Sequence, residues 1–104
     1  MENFIQVAKI DDVPPGTATV VDVKGIDVAL INSGGEFYAI GNECTHAGGS
    51  LGEGDLVEEN QIECPLHGSV FDITNGEVVN GPADEPVPSY DVKVENGVIS
   101  VAVD

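Results

Sequence analysis

The sequence predicts an all-β chain, in which both chain ends form an antiparallel β base around a loop-rich insert. Three observations predict it. No long segment repeats its apolar residues at helical spacing. Near both ends, short runs rich in β-branched residues alternate with turn dipeptides. The middle is instead rich in glycine and proline, with few strand signals.

In chain order, Val20 to Val23 and Ile26 to Ile31 read as strands joined by the turn Lys24-Gly25. Ser33-Gly34-Gly35-Glu36 reads as a turn into a third strand, Phe37 to Ile40. From Asn42 to Gly54 no strand is expected. Val57 and Ile62 flank Glu58-Glu59-Asn60, which suggests a small hairpin. Cys64 to Ser69 reads as a loop, and Asp72 to Glu77 holds a further turn. Gly81 to Pro88 carries three prolines, which cannot join an interior ladder. Tyr90, Val92 and Val94 alternate with Asp91, Lys93 and Glu95, the pattern of a strand with one buried face. Asn96-Gly97 then forms a two-residue hairpin turn, and Val98 to Val103 makes the return strand. Phe4, Phe37, Tyr38 and Tyr90 are expected in the core. No internal repeat or low-complexity tract is evident.

A chain of 104 residues suits one domain with a modest core, and 41% hydrophobic content argues against disorder. No apolar run approaches the ~20 residues that span a bilayer, and the Met1-Glu2-Asn3-Phe4 start lacks a secretory pattern. A cytoplasmic location is expected. Nineteen acidic residues against Lys9, Lys24 and Lys93 give a formal charge of -16. Such a surface repels nucleic acid and anionic membranes. It either attracts a partner with a basic patch, in a salt-sensitive way, or serves solubility alone.

The chemistry lies in two short loops. Cys44-Thr45-His46 is followed, after seventeen residues, by Cys64-Pro65-Leu66-His67. Every Cys and His of the chain belongs to one of these pairs. Two thiolates and two imidazoles make a complete ligand set for a soft or borderline metal centre. Zinc accepts such sets, but zinc motifs commonly group Cys with Cys and His with His. One Cys and one His per loop suits a binuclear centre with a sulfur side and a nitrogen side. A Cys44–Cys64 disulfide is possible on count alone, though a reducing cytoplasm opposes it.

This pattern resembles the ligand motif of Rieske [2Fe–2S] proteins, and the resemblance extends to His67-Gly68-Ser69 and Gly81-Pro82-Ala83. It covers essentially the whole chain. It implies a Rieske-type antiparallel β-sandwich or barrel base (residues 1–41 and 79–104) and a smaller loop-rich cluster-binding insert (42–78) in a single domain. It implies one [2Fe–2S] cluster, with Cys44 and Cys64 on one iron and His46 and His67 on the other. The respiratory branch carries a disulfide-bonded Cys pair at the positions of Gly49 and Leu66, and a membrane anchor; this sequence lacks that Cys pair, and no anchor is expected. The chain therefore looks like the soluble ferredoxins of bacterial ring-hydroxylating dioxygenases. By resemblance it is no enzyme itself, but takes electrons from an NAD(P)H-dependent flavoprotein reductase and hands them to a terminal oxygenase in aromatic hydrocarbon catabolism. The alternatives are a Rieske-type small subunit of a reductase such as nitrite reductase, or a zinc-stabilised interaction module.

Two ferric ions, two sulfides and two thiolates sum to zero charge, so reduction is easier than in an all-Cys cluster, at about -150 mV or above. The electron is expected near the imidazole edges, its natural exit. Around the ligands, Ser69 is expected to donate to a bridging sulfide, as in respiratory relatives, or to be a plain turn hydroxyl. Those relatives add a Tyr hydroxyl where this chain has Phe71, so its potential should lie below theirs. Gly48, Gly49 and Gly68 either present N–H groups to sulfur or are ordinary turn glycines. Pro65, Leu66 and Pro82 are expected to shield the cluster from water. Glu43, Glu53 and Asp55 either dock a partner or are simply solvated. The potential should fall at alkaline pH, because ferric iron acidifies a bound imidazole.

Overall fold

The computed structural model describes residues 4–45, 49–58, 60–66, 68–81, 83 and 85–102. Among these residues ten strands form two antiparallel sheets. The larger holds β1 (Ile5–Lys9), β2 (Thr17–Val23), β3 (Ile26–Ser33), β4 (Glu36–Gly41), β9 (Ser89–Glu95) and β10 (Val98–Ala102), in the order β1-β10-β9-β4-β3-β2. Its edge strands β1 and β2 approach one another, so the sheet curls into a nearly closed barrel. The smaller sheet is a meander of β5 (Asp55–Glu58), β6 (Gln61–Glu63), β7 (Val70–Asp72) and β8 (Val78–Asn80). Among the described residues the helical elements are two single 3₁₀ turns, Ile10–Asp12 and Leu51–Glu53. None is long and apolar enough to cross a membrane.

The hairpin turns follow the local chemistry. Lys24-Gly25 (φ 55° and 83°) and Asn96-Gly97 (φ 52° and 76°) take the left-handed pair of angles that matches strand twist. Each closes a ladder directly, Val23 on Ile26 and Glu95 on Val98. Asn60 (φ 61°) turns the predicted hairpin between β5 and β6.

The apolar run of β3 is continuous because both of its faces are covered. Val28 and Leu30 face the barrel interior with Val13, Val23, Ala39, Ile99 and Val101. Ala29 and Ile31, joined by Ile40 of β4, form the floor of a second core. On that floor sit Leu51, Ile62, Phe71, Ile73, Ala83 and Val87 from the middle of the chain, together with both cysteines. The smaller sheet thus leans on the outer face of the barrel, and the cysteines lie where the two meet.

The aromatic expectation needs correction. Among the described residues the fully buried aromatic is Phe71. Phe37, Tyr38 and Tyr90 are half-buried, and Phe4 is exposed beneath the Lys93 ammonium, 5.6 Å from its ring centroid. Phe37 and Tyr90 nevertheless pack against the barrel core and Tyr38 against the second core, so the correction falls on Phe4, which is exposed.

Candidate metal centre

The two cysteine loops close in the same way. Glu43 pairs with Ser50 in an isolated bridge, and the Cys44 N–H donates to the Gly49 carbonyl at 2.8 Å. Glu63 pairs with Val70 across β6 and β7, and the Cys64 N–H donates to the Ser69 carbonyl at 2.7 Å. In both, the bridge joins the residue before Cys to the residue six beyond it. Each Cys therefore opens a short hairpin tip, and the two tips meet over the second core. The sequence reading found no repeat here. The available signal was Glu-Cys at the start of each loop and Gly-Ser at its end.

Cys44 and Cys64 are both buried and are not joined as a disulfide. Burial raises the pKa of the Cys64 thiol. The Leu66 N–H, donating to the sulfur, opposes this rise; a hydrogen bond with the Cys44 thiol and charge repulsion from it reinforce it. The two sulfurs are thus neighbours in a dry place, where a pair of thiolates is stable only beside a cation. A Cβ on Gly49 would stand 2.7 Å from Cys64 Sγ, so the first loop passes close against the sulfur of the second. Only a residue without a side chain permits that approach.

Ser69 is fully buried, and its Oγ accepts the Ala83 N–H at 3.1 Å. Accepting that bond leaves the hydroxyl proton available to a further acceptor. Gly81 explains the Gly-Pro-Ala segment: at φ 100°, its Cβ position lies 2.6 Å from the Ser69 Cα, so the segment lies directly on the second loop. Thr45 ties the first loop to the same segment by donating from Oγ to the Glu85 carbonyl at 2.6 Å. Pro65 and Leu66, the expected shield of the site, follow Cys64 on the second loop. The inner edge of Leu66 faces Gly49, but both residues are exposed, Leu66 by 48%. A hairpin tip offers no second layer to cover its outer face. Gly68 is half-buried at φ 74°. His46, Gly48, His67 and Pro82 lie outside the described residues. Sequence reasoning missed Asn42, whose buried side chain bonds across the first loop; as a polar residue in a glycine-rich stretch it carried no distinguishing signal.

These features fit an iron–sulfur centre: two adjacent buried sulfurs, an N–H aimed at one of them, and a buried hydroxyl with an unspent proton beside them. Comparison with known proteins agrees. Residues 3–91 match the Rieske [2Fe-2S] domain. The chain is 40% identical over 99 residues to the 3-phenylpropionate/cinnamic acid dioxygenase ferredoxin subunit of Escherichia coli K12, covering 95% of this chain and 92% of that one. Its structure matches the ferredoxin of carbazole 1,9a-dioxygenase from Nocardioides aromaticivorans IC177 at 39% identity and a TM-score of 0.92, over 98% and 99% of the two chains. It also matches, at 34% identity and a TM-score of 0.88 over 98% and 94%, a chain from a complex of reduced oxygenase and oxidised ferredoxin in carbazole 1,9a-dioxygenase. A Mycobacterium tuberculosis protein described as a nitrite reductase small subunit shares the fold at 22% identity, which speaks to fold alone. The chain belongs to the Rieske [2Fe–2S] family, whose members carry one such cluster.

Proposed function

We propose that the protein is a one-electron carrier that receives electrons from a flavoprotein reductase and delivers them to a terminal ring-hydroxylating oxygenase. The observation that carries this reading is the pair of buried, unbridged cysteines on two like hairpin tips, in a chain whose relatives over nearly its whole length are dioxygenase ferredoxins. Cys44 and Cys64 would hold one iron, and His46 and His67 the other. The bound cluster supplies a centre that gains and loses one electron. The chain's own residues do the rest. The Leu66 N–H stabilises charge on the Cys64 sulfur, and the Ser69 hydroxyl is poised to donate to a sulfur of the cluster. The backbone at buried Gly49 packs directly against the Cys64 sulfur.

We take residues 1–104 as a single domain, with the base at 1–41 and 79–104 and the cluster-binding insert at 42–78. Exposed Glu43, Glu53 and Asp55 flank the first loop and suit a basic partner surface in transient docking. A cytoplasmic setting accords with leaving both thiols unbridged. A nitrite reductase subunit is the weaker reading, because that likeness rests on fold alone.

Freshly purified protein should be red-brown, with iron and acid-labile sulfide in equal amounts. Electron paramagnetic resonance after reduction should give the signature of mixed Cys/His ligation. A colourless protein with one bound zinc, or an all-Cys spectrum, would end the proposal. Electron transfer to an oxygenase should slow as salt rises; a salt-independent rate would remove the docking part.

A further inference from the structure

The geometry points to Asn42 as a positioning residue, a clamp that keeps the Cys44 loop shut over the cluster without tuning its potential. The inference rests on the reading that Cys44 is a ligand. Asn42 is among the few buried polar side chains of the described residues. Its Nδ2 donates to Ser50 Oγ at 3.0 Å, and its Oδ1 accepts the Ser50 hydroxyl at 3.2 Å and the Gly52 N–H at 2.7 Å. Its carbonyl accepts the Leu51 N–H at 2.8 Å, and its own N–H donates to the Asp27 carbonyl at 3.2 Å. One residue thus joins the outgoing limb of the loop, the returning limb and the floor strand β3.

The second loop needs no such device, because β6 and β7 hold its limbs in a ladder. The first has a single isolated bridge, Glu43 on Ser50, in place of strands. Iron escapes when a ligand loop opens, so its release rate follows the local opening equilibrium of that loop. Removing the Asn42 amide strips its side-chain bonds from the loop and exposes no new charge. Among the described residues the side-chain bonds of Asn42 end on Ser50 and Gly52, so its dipole is spent within the loop.

The loaded protein is challenged with excess iron chelator while its visible absorbance is followed, and its potential is measured separately. Asn42→Ala should lose the cluster at least about tenfold faster than wild type at an unchanged potential. Asn42→Asp keeps oxygen acceptors for the Gly52 N–H and the Ser50 hydroxyl. It should lose the cluster within about twofold of the wild-type rate, yet its added negative charge should lower the potential. Ser50→Ala should fall between wild type and Asn42→Ala in release rate. In hydrogen exchange, the amides of Cys44, Leu51 and Gly52 should lose protection in Asn42→Ala while that of Cys64 keeps it. The clamp is overturned if Asn42→Ala releases iron at the wild-type rate, if Asn42→Asp releases it as fast as Asn42→Ala, or if Asn42→Ala shifts the potential as far as Asn42→Asp. Should Asn42→Ala not fold, Ser50→Ala decides alone, and a wild-type rate overturns the clamp. Wild-type protein that holds no cluster would instead sink the ligand assignment itself.

Discussion

The loop that carries Cys44 and the loop that carries Cys64 have the same closure and different supports. Both tie the Cys N–H to a carbonyl five residues on, just inside a bridging pair. The Cys64 loop is the tip of a regular hairpin, so the ladder fixes its limbs and its buried Ser69 is free for another task. The Cys44 loop has no flanking ladder of its own, and its buried Asn42 is consumed in holding it together. Equal closure of the two Cys loops is thus reached with one polar side chain spent on structure and one proposed to be left for electronics. The difference teaches that burial of a polar residue beside a metal site does not reveal its role; what its atoms have left over does.

The largest test of this comparison removes a sulfur. Cys44→Ala and Cys64→Ala should each abolish the cluster, measured as iron and sulfide per chain. A variant that retained a full cluster would break the idea that each tip supplies one ligand. Next comes the contact between the tips. Gly49→Ala should lower cluster occupancy and speed its loss, since the new Cβ would meet the Cys64 sulfur at 2.7 Å. Normal occupancy and lifetime would show that the loops separate more easily than their contact suggests. Joining them has the opposite sign. A Cβ at Gly49 lies 3.3 Å from that of Leu66, just under the roughly 3.5–4.5 Å usual across a disulfide. The double variant Gly49→Cys/Leu66→Cys should therefore close a bridge after small shifts, seen as the loss of two free thiols, and should retain its cluster longer than Gly49→Ala, which carries the same Cβ against the Cys64 sulfur without the bridge.

How much of this was legible beforehand follows from which interactions are local. The hairpins at Lys24-Gly25 and Asn96-Gly97 were legible because two residues decide a turn. The two cysteine loops were legible as a candidate site because Cys and His are rare and their spacing is specific. The role of Asn42 was hidden, because it depends on a return limb eight to ten residues away. Gly81 was hidden for the same reason: it touches Ser69, and no local signal links the two. Phe4 misled because hydrophobicity alone does not say whether a ring at a chain end finds a place in the core. Phe71 found its space in the second core, whose walls come from distant segments.

The electronic half of the comparison is sharpened by Ser69→Ala. The hydroxyl accepts from the Ala83 N–H, and its remaining proton is proposed to reach a cluster sulfur. A hydrogen bond that strengthens with the added electron favours the reduced state, so its loss should lower the potential. A net bond of about 1–1.5 kcal/mol corresponds to roughly 40–65 mV for a one-electron couple. A wild-type potential in this variant would make Ser69 a structural residue like Asn42, and the contrast between the loops would vanish.

The smallest effect concerns the metal-free protein and separates the two states of the Cys64 sulfur. Burial raises the folded pKa of this thiol above its unfolded value. A group raised in this way contributes fully below the unfolded pKa of about 8.5 and loses that contribution as pH rises toward the folded value. The unfolded chain ionises first, so the metal-free fold should weaken as pH climbs through the ordinary thiol range. In the loaded protein the sulfur would already be a thiolate held by iron, and the same pH range should leave this contribution flat. Thermal melts of both forms across the alkaline range check this, with metal-free Cys64→Ala as the reference. If the metal-free protein and its Cys64→Ala variant lost stability in parallel, some other group would own the titration. The burial of Cys64 would then be a property of the assembled centre, not of the fold that receives it.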